Sequence, residues 1–388
     1  MSLGIYIQVP FCQTKCTYCN FHTGVVSSAR FAPYAASVQR EIREYRARLG
    51  DAGVALPASL STLTVDTVYF GGGTPSLLDP AHLEAMLRAI RDTFSCDFRE
   101  VTLEADPETV VAAKAEAWAA AGINRISFGV QSFSDVELKA AGRMHRRADI
   151  YRAVAILRAA GMRNISFDLI AGLPHQTPES WRNSLQELIE LSPPHVSIYL
   201  LEVDEGSRLG NEVLRGGTKY SAPAVPSDDA MVESYELART TLAASGYEHY
   251  EISNFAKPGF ASEHNRKYWR RAPYLGFGAG AHSFSGTERW ANAHDPAAYV
   301  QSIAAGKTPA EQLETISESQ ALEEELFLGL RQLVGIDLDR LQRAYGVSLK
   351  ERFMPLESSG LVERSGAVVL LAPAHLSISN EVFVELMR

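Results

Sequence analysis

Cys12, Cys16 and Cys19 fall in one short stretch, Cys-Gln-Thr-Lys-Cys-Thr-Tyr-Cys, with no fourth cysteine close by. A cubane iron–sulfur cluster has four iron corners and is usually held by four thiolates. Three ligands leave one iron without a protein donor and open to a small molecule. A structural zinc site wants four ligands, and His22, three residues beyond Cys19, is the nearest fourth. A disulfide plus one free thiol is the third arrangement. Spacing alone leaves cluster and zinc both open.

Further residues invite a chemical reading. Gly71-Gly72-Gly73-Thr74-Pro75 lets the backbone approach a ligand closely, because no Cβ stands in the way. It lacks the lysine and hydroxyl of a phosphate-cradling loop and is not the dinucleotide fingerprint. Glu104, Gln131, Asp168, Tyr199 and Glu202 are polar residues at the edges of apolar runs. Each has a plain alternative as a turn, a helix cap or a solvated charge. Cys96 stands alone and reads as a packing thiol. Gly276-Phe-Gly-Ala-Gly280 matches only the opening of a dinucleotide pattern and carries little weight.

The elements that would hold these residues alternate. Short apolar strands are expected near 5–9, 65–70, 100–104, 125–130, 165–170 and 195–201, with amphipathic helices between them. Asp79-Pro80, Asp106-Pro107 and Thr177-Pro178 each place a capping side chain before a first-turn proline. Gly122 and Gly161 each close an alanine-rich run. Six βα units in series imply a parallel sheet, either an incomplete barrel or an open doubly wound sheet. Ligands gather at the carboxyl ends of strands in both. The cysteines, the triple glycine, Glu104, Gln131 and Asp168 all fall there.

The totals narrow the field. The chain has 388 residues, is 46% hydrophobic and carries a net charge of −9. That size suits one large domain and a smaller one, and the charge argues against broad nucleic-acid binding. No apolar run is long enough to span a bilayer. Four cysteines, three of them clustered, fit a metal site in a reducing cytoplasm better than disulfide stapling.

Cys12-x3-Cys16-x2-Cys19 with Tyr18, followed by Tyr69-Phe-Gly-Gly-Gly-Thr-Pro75, resembles the radical S-adenosylmethionine (SAM) superfamily. Ile126–Phe133, Asp168–Thr177 and His264-Asn-Arg-Lys-Tyr-Trp269 resemble its HemN/HemW branch, which comprises oxygen-independent coproporphyrinogen III oxidase and heme-chaperone relatives. The resemblance implies an α/β partial (β/α)6 TIM-like barrel over 1–308 and a smaller helical, winged-helix-like C-terminal domain over 309–388. It implies a [4Fe-4S] cluster on Cys12, Cys16 and Cys19, with the open iron binding the methionine part of SAM. One-electron reduction would then release a 5′-deoxyadenosyl radical. Tyr6, Gly72, Gly73, Thr74, Glu104, Gln131, Arg143 and Asp168 match the positions where the branch contacts SAM.

Two departures separate the members of the branch. The oxidase has a further cysteine two places after the third, where this chain has Phe21, and it carries an N-terminal extension ahead of the first strand. Both features place the chain nearer the heme-chaperone type, with the oxidase as the alternative. The resemblance then implies heme or porphyrin as cargo and heme-accepting apoproteins as partners, a membrane surface being one place to meet them. It makes His264 the candidate axial ligand of heme iron, with Tyr268 and Trp269 as flat faces and Arg266, Lys267, Arg270 or Arg271 for propionates. His282 is a second candidate. The plain reading of His264 is a hydrogen-bonded loop histidine. Beyond about 309 the pattern changes to helices near 317–332, 338–345 and 349–358, then a hairpin turning at Gly366.

Overall fold

The computed structural model describes residues 2–387 except 52, 55, 56, 58, 59 and 61. The chain begins β1 (Leu3–Val9), α1 (Phe31–Asp51), β2 (Val65–Gly72), α2 (Pro80–Thr93), β3 (Cys96–Ala105) and α3 (Ala112–Ala121). It continues through β4 (Arg125–Gln131), α4 (Asp135–Ala140), α5 (Arg147–Ala159), β5 (Asn164–Ala171), α6 (Pro178–Leu191) and β6 (His195–Leu200). All six expected strands form. Local chemistry sets their connections. The Asp79 carboxylate accepts from the Ala81 amide at 2.9 Å, and Thr177 Oγ1 accepts from the Ser180 amide at 3.1 Å, each beside a first-turn proline. Gly122 closes α3 at φ +96°, a conformation open to glycine.

The six strands lie side by side in chain order and run parallel. A doubly wound sheet would reverse its order at a switch point. No reversal occurs, so the winding is that of a barrel left open. One face of these strands is fully buried, with Ile5, Ile7, Val9, Val68, Phe70 and Leu103 all without exposure. Trp118 and Trp181 fill the helical layer without exposure; truncating either to alanine would cost about 3–5 kcal/mol.

Further strands extend this sheet on both sides. After α7 (Arg208–Leu214) and α8 (Asp228–Ala244), β8 (Asn254–Ala256) adds antiparallel to β6, and β7 (Glu248–Glu251) pairs antiparallel with β8 at the outer edge. After α9 (Glu263–Trp269), β9 (Tyr274–Phe277) pairs parallel with β1, and β10 (His282–Phe284) and β11 (Glu288–Asn292) follow antiparallel. Beyond α10 (Pro296–Ala304) comes β12 (Ala310–Thr315), which pairs with β11. The large sheet therefore runs past the boundary expected at 308, because hydrogen bonding carries β12 into it.

The last part contains α11 (Glu318–Leu330), β13 (Ile336–Asp337), α12 (Leu338–Tyr345), α13 (Lys350–Ser358), β14 (Val362–Ser365), β15 (Val368–Leu371) and α14 (Ser379–Leu386). Its three strands form a separate small sheet. The acidic run Glu323–Glu325 is spent on arginines: Glu324 holds Arg271 and Arg289 at 2.7 Å each, and Glu325 holds Arg340 at 2.5 Å.

Candidate functional site

The carboxyl ends of β1–β6 open into a cavity of about 570 Å³. Cys12, Cys16 and Cys19 all line it, and all four cysteines of the chain are free thiols. Cys12 ends a two-residue strand, Phe11–Cys12, paired with Gly24–Val25. The loop between is tied down by the Thr17 amide donating to Ala141 O at 3.0 Å and the Leu209 amide donating to Thr17 O at 2.8 Å. Burial pushes the thiols of Cys12 and Cys19 up, so loading with metal must release protons. No three His, Cys, Asp or Glu side chains among the described residues converge on one ion. A mononuclear zinc site draws its ligands to a single point, whereas a cubane distributes thiolates over separate irons. The donor set fits the cluster.

Seven of the eight residues matched to SAM contacts line the same cavity: Gly72, Gly73, Thr74, Glu104, Gln131, Arg143 and Asp168. Tyr6 does not. It stacks behind Tyr69 at 5.9 Å and donates to Gln8 Oε1 at 2.8 Å.

The triple glycine is needed for close approach. A Cβ on Gly73 would lie 2.5 Å from Phe11 O, and Gly72 has φ +107°. The Gly72 amide donates to Glu104 Oε2 at 3.0 Å, and Tyr69 donates to Glu104 Oε1 at 2.9 Å. Burial nevertheless pushes the Glu104 carboxyl up to about 7. Gln131 sits at φ +64°, where the β4–β5 register slips between Phe128 and Gln131. This bulge turns a strand-end side chain toward the cavity.

Arg143 ties three walls together. Its guanidinium pairs with Asp106, donates to Gly129 O at 2.8 Å and reaches Cys16 Sγ at 3.4 Å. Asp106 also accepts from Thr74 Oγ1 at 3.1 Å. Its proline neighbour suggested a cap, but its side chain makes no capping bond. Asp168 accepts from Ser127 Oγ at 3.1 Å, and burial pushes its carboxyl up.

His264 lies elsewhere. It is 1% exposed and does not line the cavity. Its Nδ1 meets Thr67 Oγ1 at 3.0 Å and its Nε2 meets the Tyr268 hydroxyl at 2.9 Å. Burial pulls its pKa down to about 3. Neither ring nitrogen is free for iron in this arrangement, and the plain reading of a hydrogen-bonded histidine describes it. The neighbouring cations are engaged as well: Lys267 with Asp66 at 2.7 Å, Arg266 with Glu263 at 3.4 Å and Arg271 with Glu324. Trp269 is covered by Arg331, 4.6 Å from its ring centre.

Sequence reasoning missed several wall residues. Arg125 is 2% exposed, lines the cavity and has its Nε buried without a partner. A cation inside the apolar run Arg-Ile-Ser-Phe was the available signal. Leu376, Ser377, Ser379 and Asn380 close the cavity from the C-terminal part, a juxtaposition no local motif announces.

With this geometry in place, the likeness to known proteins is informative. A family model described as the Radical SAM superfamily matches residues 6–188, and one described as the HemN C-terminal domain matches 316–373. The heme chaperone HemW of Bacillus subtilis is 33% identical over 384 residues, which is 97% of each chain. The heme chaperone HemW of Escherichia coli is 37% identical over 72% of this chain and 69% of its own. The structure of coproporphyrinogen III oxidase (HemN) from Escherichia coli superposes with a TM-score of 0.83. That match covers 99% of this chain and 90% of the other at 21% identity, a likeness of fold.

Proposed function

Because this chain belongs to the radical SAM superfamily and, within it, to the family of the HemW heme chaperones, we propose that it binds heme and delivers it to acceptor apoproteins from beside a three-cysteine [4Fe-4S] site. The observation that carries this reading is the likeness to a heme chaperone along the whole chain, joined to a cavity into which all three cysteines open. Phe21 occupies the place of the oxidase's additional cysteine, which favours the chaperone over the oxidase.

Cys12, Cys16 and Cys19 would hold the cluster, which when bound supplies one-electron chemistry toward SAM. Glu104 is oriented by Tyr69 and Gly72, and an arriving ammonium would draw it back to its ionised form. Asp168 would accept from ribose hydroxyls, and Gln131 serves either polarity. Arg143, already braced by Asp106, offers a fork of donors to a carboxylate. Free thiols of this kind belong in a reducing cytoplasm, and no helix among the described residues is long and apolar enough to cross a membrane.

The test is anaerobic reconstitution with iron and sulfide, followed by heme titration in the Soret region. The expected result is an iron- and sulfide-loaded protein with saturable heme binding and transfer to an apo-acceptor. Stoichiometric zinc in place of iron, or decarboxylated porphyrin formed from coproporphyrinogen III with SAM and reductant, would overturn the reading.

A further inference from the structure

A heme iron already carries four porphyrin nitrogens and asks a protein for one or two axial donors, so the question is where free imidazole nitrogens lie. The chain has ten histidines. Four have ring nitrogens bonded in the interior: His145 to Val130 O at 3.1 Å, His195 to Ser166 Oγ and the Tyr250 hydroxyl, His249 to Ile252 O at 3.1 Å, and His264 as described. Among the other six, three come together. His22 and His294 have ring centres 4.6 Å apart, and His282 and His294 are 6.5 Å apart.

Three separate segments build this group. His22 follows Phe21 in the arm leaving the cysteine loop, which the Gly24 amide fastens to Pro10 O at 2.9 Å. His282 opens β10, and His294 lies just past β11. The Gly280 amide donates to Ala293 O at 3.0 Å and the Asn292 amide to Ala281 O at 2.9 Å, so the two β-turn segments are locked together. Gly280 has φ +72°, and a Cβ there would stand 3.1 Å from His294 Nδ1. That Nδ1 is buried and has no hydrogen-bond partner. His22 and His282 are exposed.

We infer that the heme iron is received at this rim, by the imidazoles of His22 and His282 packed around His294, and not by His264. The inference rests on the heme-binding reading above. The three rings do not converge on a bare ion, since no such group of three exists among the described residues, but an iron already held in a porphyrin needs no chelate. The surroundings suit a flat apolar ligand with acidic edges. Phe21, 65% exposed on the cavity wall, and Val25 offer apolar surface. Lys15, on the same loop, donates only a long bond to Phe21 O at 3.5 Å and makes no ion pair among the described residues, so its charge is open to a propionate.

The test is heme titration of the reconstituted full chain, with the Soret position and the spin state by electron paramagnetic resonance as readouts. His22→Ala/His282→Ala is expected to weaken binding at least tenfold and to convert low-spin iron to high-spin, with iron, sulfide and circular dichroism unchanged. His264→Phe is expected to keep the wild-type heme spectrum. Wild-type affinity and spin state in the rim double variant, with both lost in His264→Phe, would overturn the inference while leaving heme binding intact. No saturable binding by the wild type would overturn both readings.

Discussion

Arg143 illustrates how much one side chain can hold. Its guanidinium spans Asp106, the Gly129 carbonyl and Cys16 Sγ, so it links the loop after β3, the body of β4 and the cysteine loop. A lysine keeps the charge but presents no planar fork. Arg143→Lys is expected to weaken SAM binding about tenfold, equivalent to roughly 1.4 kcal/mol, while the iron content stays near wild type. Equilibrium dialysis of reconstituted protein measures it, and unchanged affinity would remove Arg143 from the ligand site. His264 teaches the converse at the same scale. Its place in a suggestive motif marked it for chemistry, yet its surroundings saturate both nitrogens.

Between elements, the most consequential junction joins α1 to the hairpin after β9. Glu41, on α1, accepts from the Gly278 amide at 2.9 Å, Asn292 Nδ2 at 2.6 Å and the Tyr299 hydroxyl at 2.5 Å. Tyr34, also on α1, donates to Gln8 O and accepts from the Ala279 amide, both at 2.8 Å. This junction therefore supports the end of β1 that feeds the cysteine loop. Burial pushes the Glu41 carboxyl from 4.5 up to about 7. Below the lower value the group is protonated folded or unfolded, and no penalty arises. Between the two, the fold retains a proton that the unfolded chain releases, so stability falls as pH rises. Above about 7 the full cost is reached, about 3 kcal/mol. Glu41→Gln is expected to flatten the decline in urea midpoint from pH 5 to pH 8; an unaltered slope would show that Glu41 does not carry it.

Across the whole molecule, α11 bridges the two flanks of the open sheet. On one flank the Ile252 amide donates to Arg331 O at 3.1 Å and the Leu333 amide to Tyr250 O at 3.2 Å. On the other, Glu324 holds Arg271 and Arg289. The C-terminal part thus completes the cavity wall at Leu376–Asn380 instead of standing apart. Glu324→Ala should loosen that closure at a cost of roughly 2 kcal/mol, the scale of hydrogen bonds to a charged group. Hydrogen exchange would speed up over 318–330 while β1–β6 remain protected. Uniform acceleration along the chain would mean the contact supports the fold generally and not this closure.

Periodicity and punctuation determined the six parallel strands, their order of appearance and the placing of unusual residues at their carboxyl ends. Those signals are local: alternating burial, capping side chains and left-handed glycines act within a few residues. The three cysteines, the triple glycine, Glu104, Gln131 and Asp168 were legible for the same reason, because each ends or follows a strand that the sequence reveals, whereas Arg143 was reached only through the motif likeness. Only the tertiary structure decided between an open barrel and a doubly wound sheet, carried β12 into the large sheet, buried His264 and brought His22, His282 and His294 together from segments far apart. These outcomes depend on which surfaces meet after the chain folds back, and burial and hydrogen-bond saturation are properties of that meeting rather than of any short run of residues.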